Sequence, residues 1–329
     1  MNRLGREENT ALVDIVIVNW NAGSLLKTCL QALAESTIVE RLNVVVVDNA
    51  SSDQSLQAIG APRIHFEIIR NATNRGFAAA CNQGAASSQA PYILFLNPDV
   101  RVKPETLGTV LSYFEDPRQS RVGIMGIRLL DRHGDTARCC ARRPTTASFL
   151  EYALFLDRIA PKMFPPHFLM EWDHLDTRPV PQVMGAFLII RRDLFTAANG
   201  FDERFFVYYE DLDLCLRVID AGHEVVHFAQ AAAVHDGGGT TEAVKDRRLF
   251  LATSNRVRFM HKWHGLMPAL LLIMLTALAE MPIRLIRAAS TRSFREVKLT
   301  LRGAWIFWSN IPRLVISLIG AQRVRSQLH

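Results

Sequence analysis

The sequence predicts an α/β protein on a doubly wound, mostly parallel sheet, followed by a basic helical extension. Three observations carry this. Apolar runs of strand length, Val44-Val45-Val46-Val47, Tyr92-Ile93-Leu94-Phe95-Leu96 and Phe205-Phe206-Val207-Tyr208-Tyr209, are continuous rather than alternating, as in strands buried on both faces. Strand-like and helix-like segments alternate over about a hundred residues, the signature of parallel sheets with crossover helices. Each apolar run ends in an acid-bearing segment: Asp48-Asn49-Ala50-Ser51-Ser52-Asp53, Asn97-Pro98-Asp99 and Glu210-Asp211-Leu212-Asp213. Ligands of open α/β sheets sit outside the carboxyl ends of the strands. Three acidic segments there point to one crevice for a metal, a polyhydroxylated ligand, or both.

The elements follow in order. Residues 1–12 form a tail whose first eleven residues are polar and lack the apolar stretch of a signal peptide, which predicts a first domain that stays in the cytosol. A strand is expected over 14–18, then a helix over 24–34 with Ser24 at its N-cap. Strands over 42–47 and 64–69 precede an alanine-rich helix over 77–87. Pro91 introduces a strand over 92–96, and Pro104 opens the next helix at its first turn. Residues 131–181 carry six prolines and are expected to form loops and short helices covering the site. A strand over 183–190, a helix over 211–221 and short strands over 225–228 and 231–234 complete a domain spanning 13–240.

Composition sets the class. At 49% hydrophobic and 21% charged residues the chain is globular rather than disordered. Its net charge of +6 is unevenly placed: residues 241–329 hold 15 Lys/Arg against 4 Asp/Glu, whereas the first 240 hold 23 against 28. A nucleic-acid binder would carry its surplus across the folded domain, and here that domain is acidic. The basic quarter contains two apolar stretches, 266–279 and 305–320, the second broken by Pro312 and Arg313. Both fall short of the roughly 20 uninterrupted apolar residues of a spanning helix. Flanking basic residues, Trp305 and Trp308 favour helices lying in a membrane surface over true spans, with a buried helical packing layer as the plainer reading. The five cysteines, Cys29, Cys81, Cys139, Cys140 and Cys215, are odd in number and form no CxxC pair, as expected of reduced thiols.

Taken with Val18-Asn19-Trp20-Asn21 at the end of the first strand, these motifs resemble the family 2 inverting glycosyltransferases, enzymes of the GT-A fold. The resemblance covers about residues 13–240, with five motifs in the family's order. It implies that Asn19, Asn21, Asp48 and Asp53 meet the nucleotide, Asp48 at the base. A carboxylate suits an imide or ribose donor; the plainer reading is an Asx-turn with Asp53 capping a helix. Asn74-Arg75-Gly76, a helix and Asn82-Gln83-Gly84 resemble the family's Asn-x-Gly pair, which adds Asn74, Gly76 and Asn82 to the donor side. Asn97-Pro98-Asp99 stands where the family has its metal-binding Asp-x-Asp, and Asn97 is a weaker, neutral ligand than the usual Asp. Asn97 and Asp99 would face the donor diphosphate, with Asp99 holding Mg²⁺ or Mn²⁺.

The resemblance further assigns Asp211 as general base, Glu210 to the acceptor, and Gly185-Ala186-Phe187 to the acceptor side. An inverting transfer needs one carboxylate to take the acceptor hydroxyl proton. Asp213 is expected to pair with Arg217 one turn on. His235, between a strand and Gly237-Gly238-Gly239, would join the metal or the diphosphate; a structural histidine is the competing reading. The Leu96-Asn97-Pro98-Asp99 form, 206–217 and 234–240 are most similar to rhamnosyltransferase-like members. That implies dTDP-L-rhamnose as donor, a polyprenyl-diphosphate-linked saccharide as acceptor, and residence on the anionic cytoplasmic face of the plasma membrane. UDP-galactofuranose, UDP-glucose and UDP-GlcNAc remain alternative donors. A nicotinamide oxidoreductase is excluded because the segment after the first strand offers only Gly23. A processive polysaccharide synthase is excluded because the chain has no Gln-x-x-Arg-Trp.

Overall fold

A computed structural model describes residues 11–60, 62–237 and 244–326. Gly238, Gly239 and Thr240, part of the glycine loop singled out above, lie outside the described residues. Strands β1 (Val13–Asn19), β2 (Leu42–Asp48), β3 (Phe66–Arg70) and β4 (Tyr92–Leu96) pair in parallel in the order β3-β2-β1-β4. The helices between them are α1 (Leu25–Ala34), α2 (Ser55–Ala58) and α3 (Phe77–Ala85). The order reverses direction between β1 and β4, the switch point where a crevice opens at the strand ends. Short β5 (Val100–Val102) and α4 (Thr106–Glu115) lead to β6 (Val122–Leu130). The sheet continues β4-β10-β6-β11-β5, where β10 (Phe187–Arg191) is antiparallel to both neighbours and β11 (Glu224–His235) is parallel to β6. Residues 131–181 form β7 (Cys140–Ala141), α5 (Thr146–Ala153), α6 (Leu156–Ile159) and β8 (Arg178–Pro179), and β7 pairs with β9 (Gln182–Val183). Between β10 and β11 lie α7 (Arg192–Ala197) and α8 (Glu210–Asp220).

The central strands are sealed: Ile15, Ile17, Val44, Val46, Leu94 and Phe95 have no measurable exposure. Burying each such side chain stabilises by about 1.5–3 kcal/mol, so the strand ends are a rigid base for the site. Helix α3 packs on β1 and β2 so closely that a Cβ on Gly84 would come within 2.5 Å of Val16.

Four expectations need correction. Residues 205–209 are not a strand; they form bends, with Tyr208 and Tyr209 in the left-handed region at φ 72° and 74°. The aromatics there pack sideways, Phe205 and Tyr209 against Phe259, instead of feeding a sheet. The strand expected over 183–190 is interrupted at Met184–Ala186, so only Phe187 of the Gly185-Ala186-Phe187 segment is in β10. The two short strands near the end of the domain are one strand, β11, with a register irregularity between Phe228 and Ala232. Ser24 precedes α1 but its side chain makes no capping bond.

Beyond the sheet lie α9 (Lys245–His264), α10 (Leu266–Leu275), a π-helical turn (Thr276–Glu280), α11 (Met281–Ser290) and α12 (Phe294–Ser326). Their apolar cluster takes in Phe149 and Ala153 of α5 and Phe205, Leu212 and Leu216 at α8, so the helical region is packed onto the element that carries the acidic motif. Two continuous helical runs, Leu266–Ser290 and Phe294–Gln322, are long and apolar enough to cross a membrane. Only about a third and a fifth of them is buried, and Met267, Leu278, Ile286, Phe294, Trp305 and Ile316 project outward.

Candidate active site

The carboxyl ends of β1 and β2 are locked together. Asn19 and Asp48 are register partners, and buried Asn19 donates to Asp48 Oδ1 at 2.7 Å and to Ser51 and Ser55 Oγ at 3.1 and 2.8 Å. Asn19 therefore stands behind Asp48 and orients it. No described residue donates to Asp48 Oδ2. Asn21, at φ 52°, accepts from the Ser52 and Asp53 amides through Oδ1. Asp53 accepts from Gly23 N at 2.8 Å and from Ser55. Burial works to raise the Asp53 carboxyl, but the bonds from Ser55 and Gly23 outweigh it and hold it below its ordinary value. Both side chains knit the β1–α1 and β2–α2 loops into the wall beside Asp48.

The Asn-x-Gly segments brace other loops. Asn49, buried, donates to Asn74 Oδ1 and the Gly76 carbonyl and accepts from Arg75 N. Gly76 has φ 87°, and a Cβ there would lie 2.5 Å from the Phe206 carbonyl oxygen. The close approach that requires glycine is thus to Phe206 of the same chain, whose carbonyl also accepts from Phe77 N at 2.6 Å. Asn82 spends its amide on the backbone of Phe201 and on Glu203. Gly76→Ala is expected to displace the 205–209 segment. Turnover should fall by about tenfold or more with the thermal midpoint lowered, because the new methyl meets backbone rather than a flexible side chain; unchanged kinetics would show that the segment does not set the site.

The other strand ends converge on the same edge. Asn97 N donates to the Ala186 carbonyl at 2.9 Å, which ties the end of β4 to the segment before β10. Next in that segment, Gly185 N donates to Asp211 Oδ2 at 2.9 Å. Phe187 is buried in the main core, which leaves the Gly185–Ala186 backbone, not the Phe187 ring, at the site. Asp99, almost buried, lies 3.4 Å from His235 Nε2 through Oδ1, because Val100 and His235 are partners across β5 and β11. The strand pairing thus brings together two ligand types 136 positions apart. A carboxylate oxygen and an imidazole nitrogen this close are donor types that would hold a divalent cation between them. Among the described residues the one cluster of three potential ligands is elsewhere, at buried Cys139, Cys140 and His227. All five cysteines are free thiols.

Glu210 and Asp211 open α8 and differ in surroundings. Glu210 is buried and its Oε2 has no partner; burial, reinforced by the Asp211 charge, pushes its carboxyl well up. Burial also raises Asp211, but hydrogen bonds from Gly185, Leu212 and Gln182 oppose it. Of the pair, Asp211 is half-buried, whereas Glu210 is shut off from solvent. Asp213 is fully buried and turned to the other side, against Arg217 Nε at 2.8 Å, Lys262 Nζ at 2.6 Å and Trp263 Nε1 at 3.0 Å. Asn255 of α9 donates to the Val207 carbonyl at 2.7 Å. Asn49, Gln182, Phe206, Asn255 and Lys262 were not singled out by the sequence. Asn49 and Phe206 lay within recognised motifs; Gln182, Asn255 and Lys262 carry no local signal.

The profile described as Glycosyl transferase family 2 matches residues 14–195. Among curated relatives, N-acetylglucosaminyl-diphospho-decaprenol L-rhamnosyltransferase of Mycobacterium tuberculosis is 26% identical over 244 residues, covering 70% of this chain and 78% of that protein. Rhamnosyltransferase WbbL of Escherichia coli K12 is 27% identical over 260 residues, covering 77% and 89%. In architecture the chain is similar to the mannosyltransferase PcManGT of Pyrobaculum calidifontis, solved with GDP-Man and Mn²⁺, with TM-score 0.53 and 18% identity over 94% of this chain and 86% of that one.

Proposed function

The chain belongs to glycosyl transferase family 2, and on that premise we propose that it moves L-rhamnose from dTDP-rhamnose, with inversion, onto a saccharide carried by a polyprenyl diphosphate. The observation that carries the reading is the Gly185–Asp211 contact, which sets one ionisable carboxylate at the strand-end edge that also bears Asp48 and the Asp99–His235 pair. The two rhamnosyltransferase relatives support the sugar, and the decaprenyl-linked substrate in the mycobacterial relative's name supports the acceptor class.

In the step, the acceptor hydroxyl oxygen bonds to the anomeric carbon from the face opposite the leaving group. Its proton passes to Asp211, and the bond to the nucleoside diphosphate breaks with its electrons staying on the phosphate oxygen. Asp48 holds the base through its free oxygen while Asn19 fixes its orientation. Asp99 and His235 would hold Mg²⁺ or Mn²⁺, which neutralises charge on the departing diphosphate. Residues 13–240 constitute the catalytic unit. The two C-terminal helical runs associate with the cytoplasmic face of the plasma membrane, lying along it.

A donor panel tests this, with lipid-extracted acceptor and mass detection of product. Transfer is expected from dTDP-rhamnose, to disappear on chelation and to return with Mg²⁺ or Mn²⁺. His235→Ala should raise the ion concentration needed for half-activity by about tenfold. Product only from UDP-galactofuranose, UDP-glucose or UDP-GlcNAc would replace the donor, and full activity after exhaustive chelation would remove the metal.

A further inference from the structure

A basic site lies away from the acidic catalytic edge, where α6, the start of α9, α11 and the start of α12 meet. They form an open cavity of ≈ 370 Å³ lined by Phe155, Arg158, Lys245, Arg284, Arg287 and Glu296, among others. Three guanidinium groups gather on one aromatic ring: Arg158, Arg284 and Arg287 lie 5.3, 5.5 and 5.5 Å from the centre of Phe155. Phe155 itself is held at φ 60°, a conformation a bulky side chain rarely adopts. Strain of this kind persists where surrounding structure imposes it, often at ligand clamps.

The charges do not balance. Arg284 pairs with Glu280, and Lys245 pairs with Glu296 at 2.9 Å. Arg158 and Arg287 have no carboxylate partner among the described residues, although like charges drawn to one ring repel each other. Beyond the lining, exposed apolar side chains flank the basic residues in sequence. Next to Arg158 is Ile159, 74% exposed; next to Arg287 is Ile286, 71% exposed; and Phe294, 83% exposed, begins α12 beside them in sequence. A small anion alone would leave those apolar groups in water, and an apolar ligand alone would leave the arginines unmatched. An amphiphile with a phosphate head satisfies both.

We propose that this cavity binds the phosphate headgroup of a membrane lipid. The guanidinium forks take the phosphate oxygens, and Ile159, Ile286 and Phe294 enter the acyl region around it. This rests on the membrane association proposed above and specifies how the surface is held. Helix α5 links the cavity to the catalytic edge: Phe149 packs 6.0 Å from Tyr209, at the start of α8, and Phe155 is six residues further along. Bulk anionic lipid and the diphosphate of the acceptor's carrier both supply such a phosphate.

Vesicle co-sedimentation of the full chain separates the possibilities. The probes are phosphatidylcholine vesicles, the same with phosphatidylglycerol, and the same with a few mole per cent of polyprenyl diphosphate. The pocket variant Arg158→Ala/Arg287→Ala is compared with Arg292→Ala/Arg295→Ala, exposed arginines of the same region outside the cavity. Binding to phosphate-bearing vesicles is expected to weaken about 30-fold in the pocket variant and by less than about threefold in the other, with thermal midpoints unchanged. Selective loss on phosphatidylglycerol assigns bulk lipid; selective loss on polyprenyl diphosphate assigns the carrier. Equal losses in both variants, or none, would overturn the site while leaving membrane association intact. Failure of the unaltered protein to bind any vesicle would overturn both.

Discussion

Asp211→Asn is expected to lower turnover by a factor of about 10²–10⁴, the usual contribution of a positioned general base, with nucleotide affinity preserved. The separation is physical. Asp211 is held by Gly185 N, whereas Asp48 is held by Asn19 on the far side of the strand order, so removing the base leaves the nucleotide wall untouched. The pH dependence follows from the raised Asp211 carboxyl: activity is present above its value and lost as pH falls through it. Stability runs the other way. A carboxyl raised by folding contributes stability fully below the ordinary carboxylate value, and that contribution disappears as pH rises through the raised one. Glu210, buried and pushed up further, should show this most clearly. Glu210→Gln is therefore expected to raise the thermal midpoint at neutral pH relative to the unaltered protein, with the advantage fading toward pH 4. Steady-state kinetics, nucleotide titration and melting curves read all three. Turnover of Asp211→Asn within about threefold of normal would remove the residue from the chemistry.

Asp213→Ala should produce the largest loss of stability. The carboxylate is fully buried and joins α8 to α9 through Arg217, Lys262 and Trp263. Removing one partner of a buried ion pair costs about 3–5 kcal/mol. The lower end applies here, since Lys262 keeps Asp202 at 2.7 Å and Arg217 keeps the Gly200 carbonyl at 2.8 Å. At roughly 2–4 °C per kcal/mol for a chain of this size class, the thermal midpoint should fall by about 6–12 °C. Turnover should fall with it, because the same helix presents Asp211. Asp213→Asn, which retains acceptor capacity, should lose about half as much. A drop below about 2 °C in the alanine variant would mean that α9 does not secure the catalytic helix.

Much of the site was legible in the residues because its parts are local. Asp48 and Asp99 each end or follow a long apolar run, and both of those runs are buried strands. The Asp213–Arg217 pair followed from helical spacing alone. Reading failed where partners are distant. The run 205–209 has strand composition, yet its aromatics are claimed by Phe259 of a helix fifty residues on. Gly76 was placed on the donor side by its motif, but nothing local showed that Phe206 packs against it. Nothing near Asn82 in the sequence showed that its amide meets the Phe201 backbone and Glu203.

By itself the sequence determined the sheet, its order of motifs and the chemistry each strand end offers, because periodicity and turn chemistry are properties of short segments. The tertiary structure alone decided which polar groups are free to act and which are braces. It also decided that β10 runs against its neighbours, that His235 meets Asp99, and that three arginines share one ring. The physical reason is that a side chain's role depends on which donors, acceptors and charges surround it, and those arrive from parts of the chain that no local pattern records.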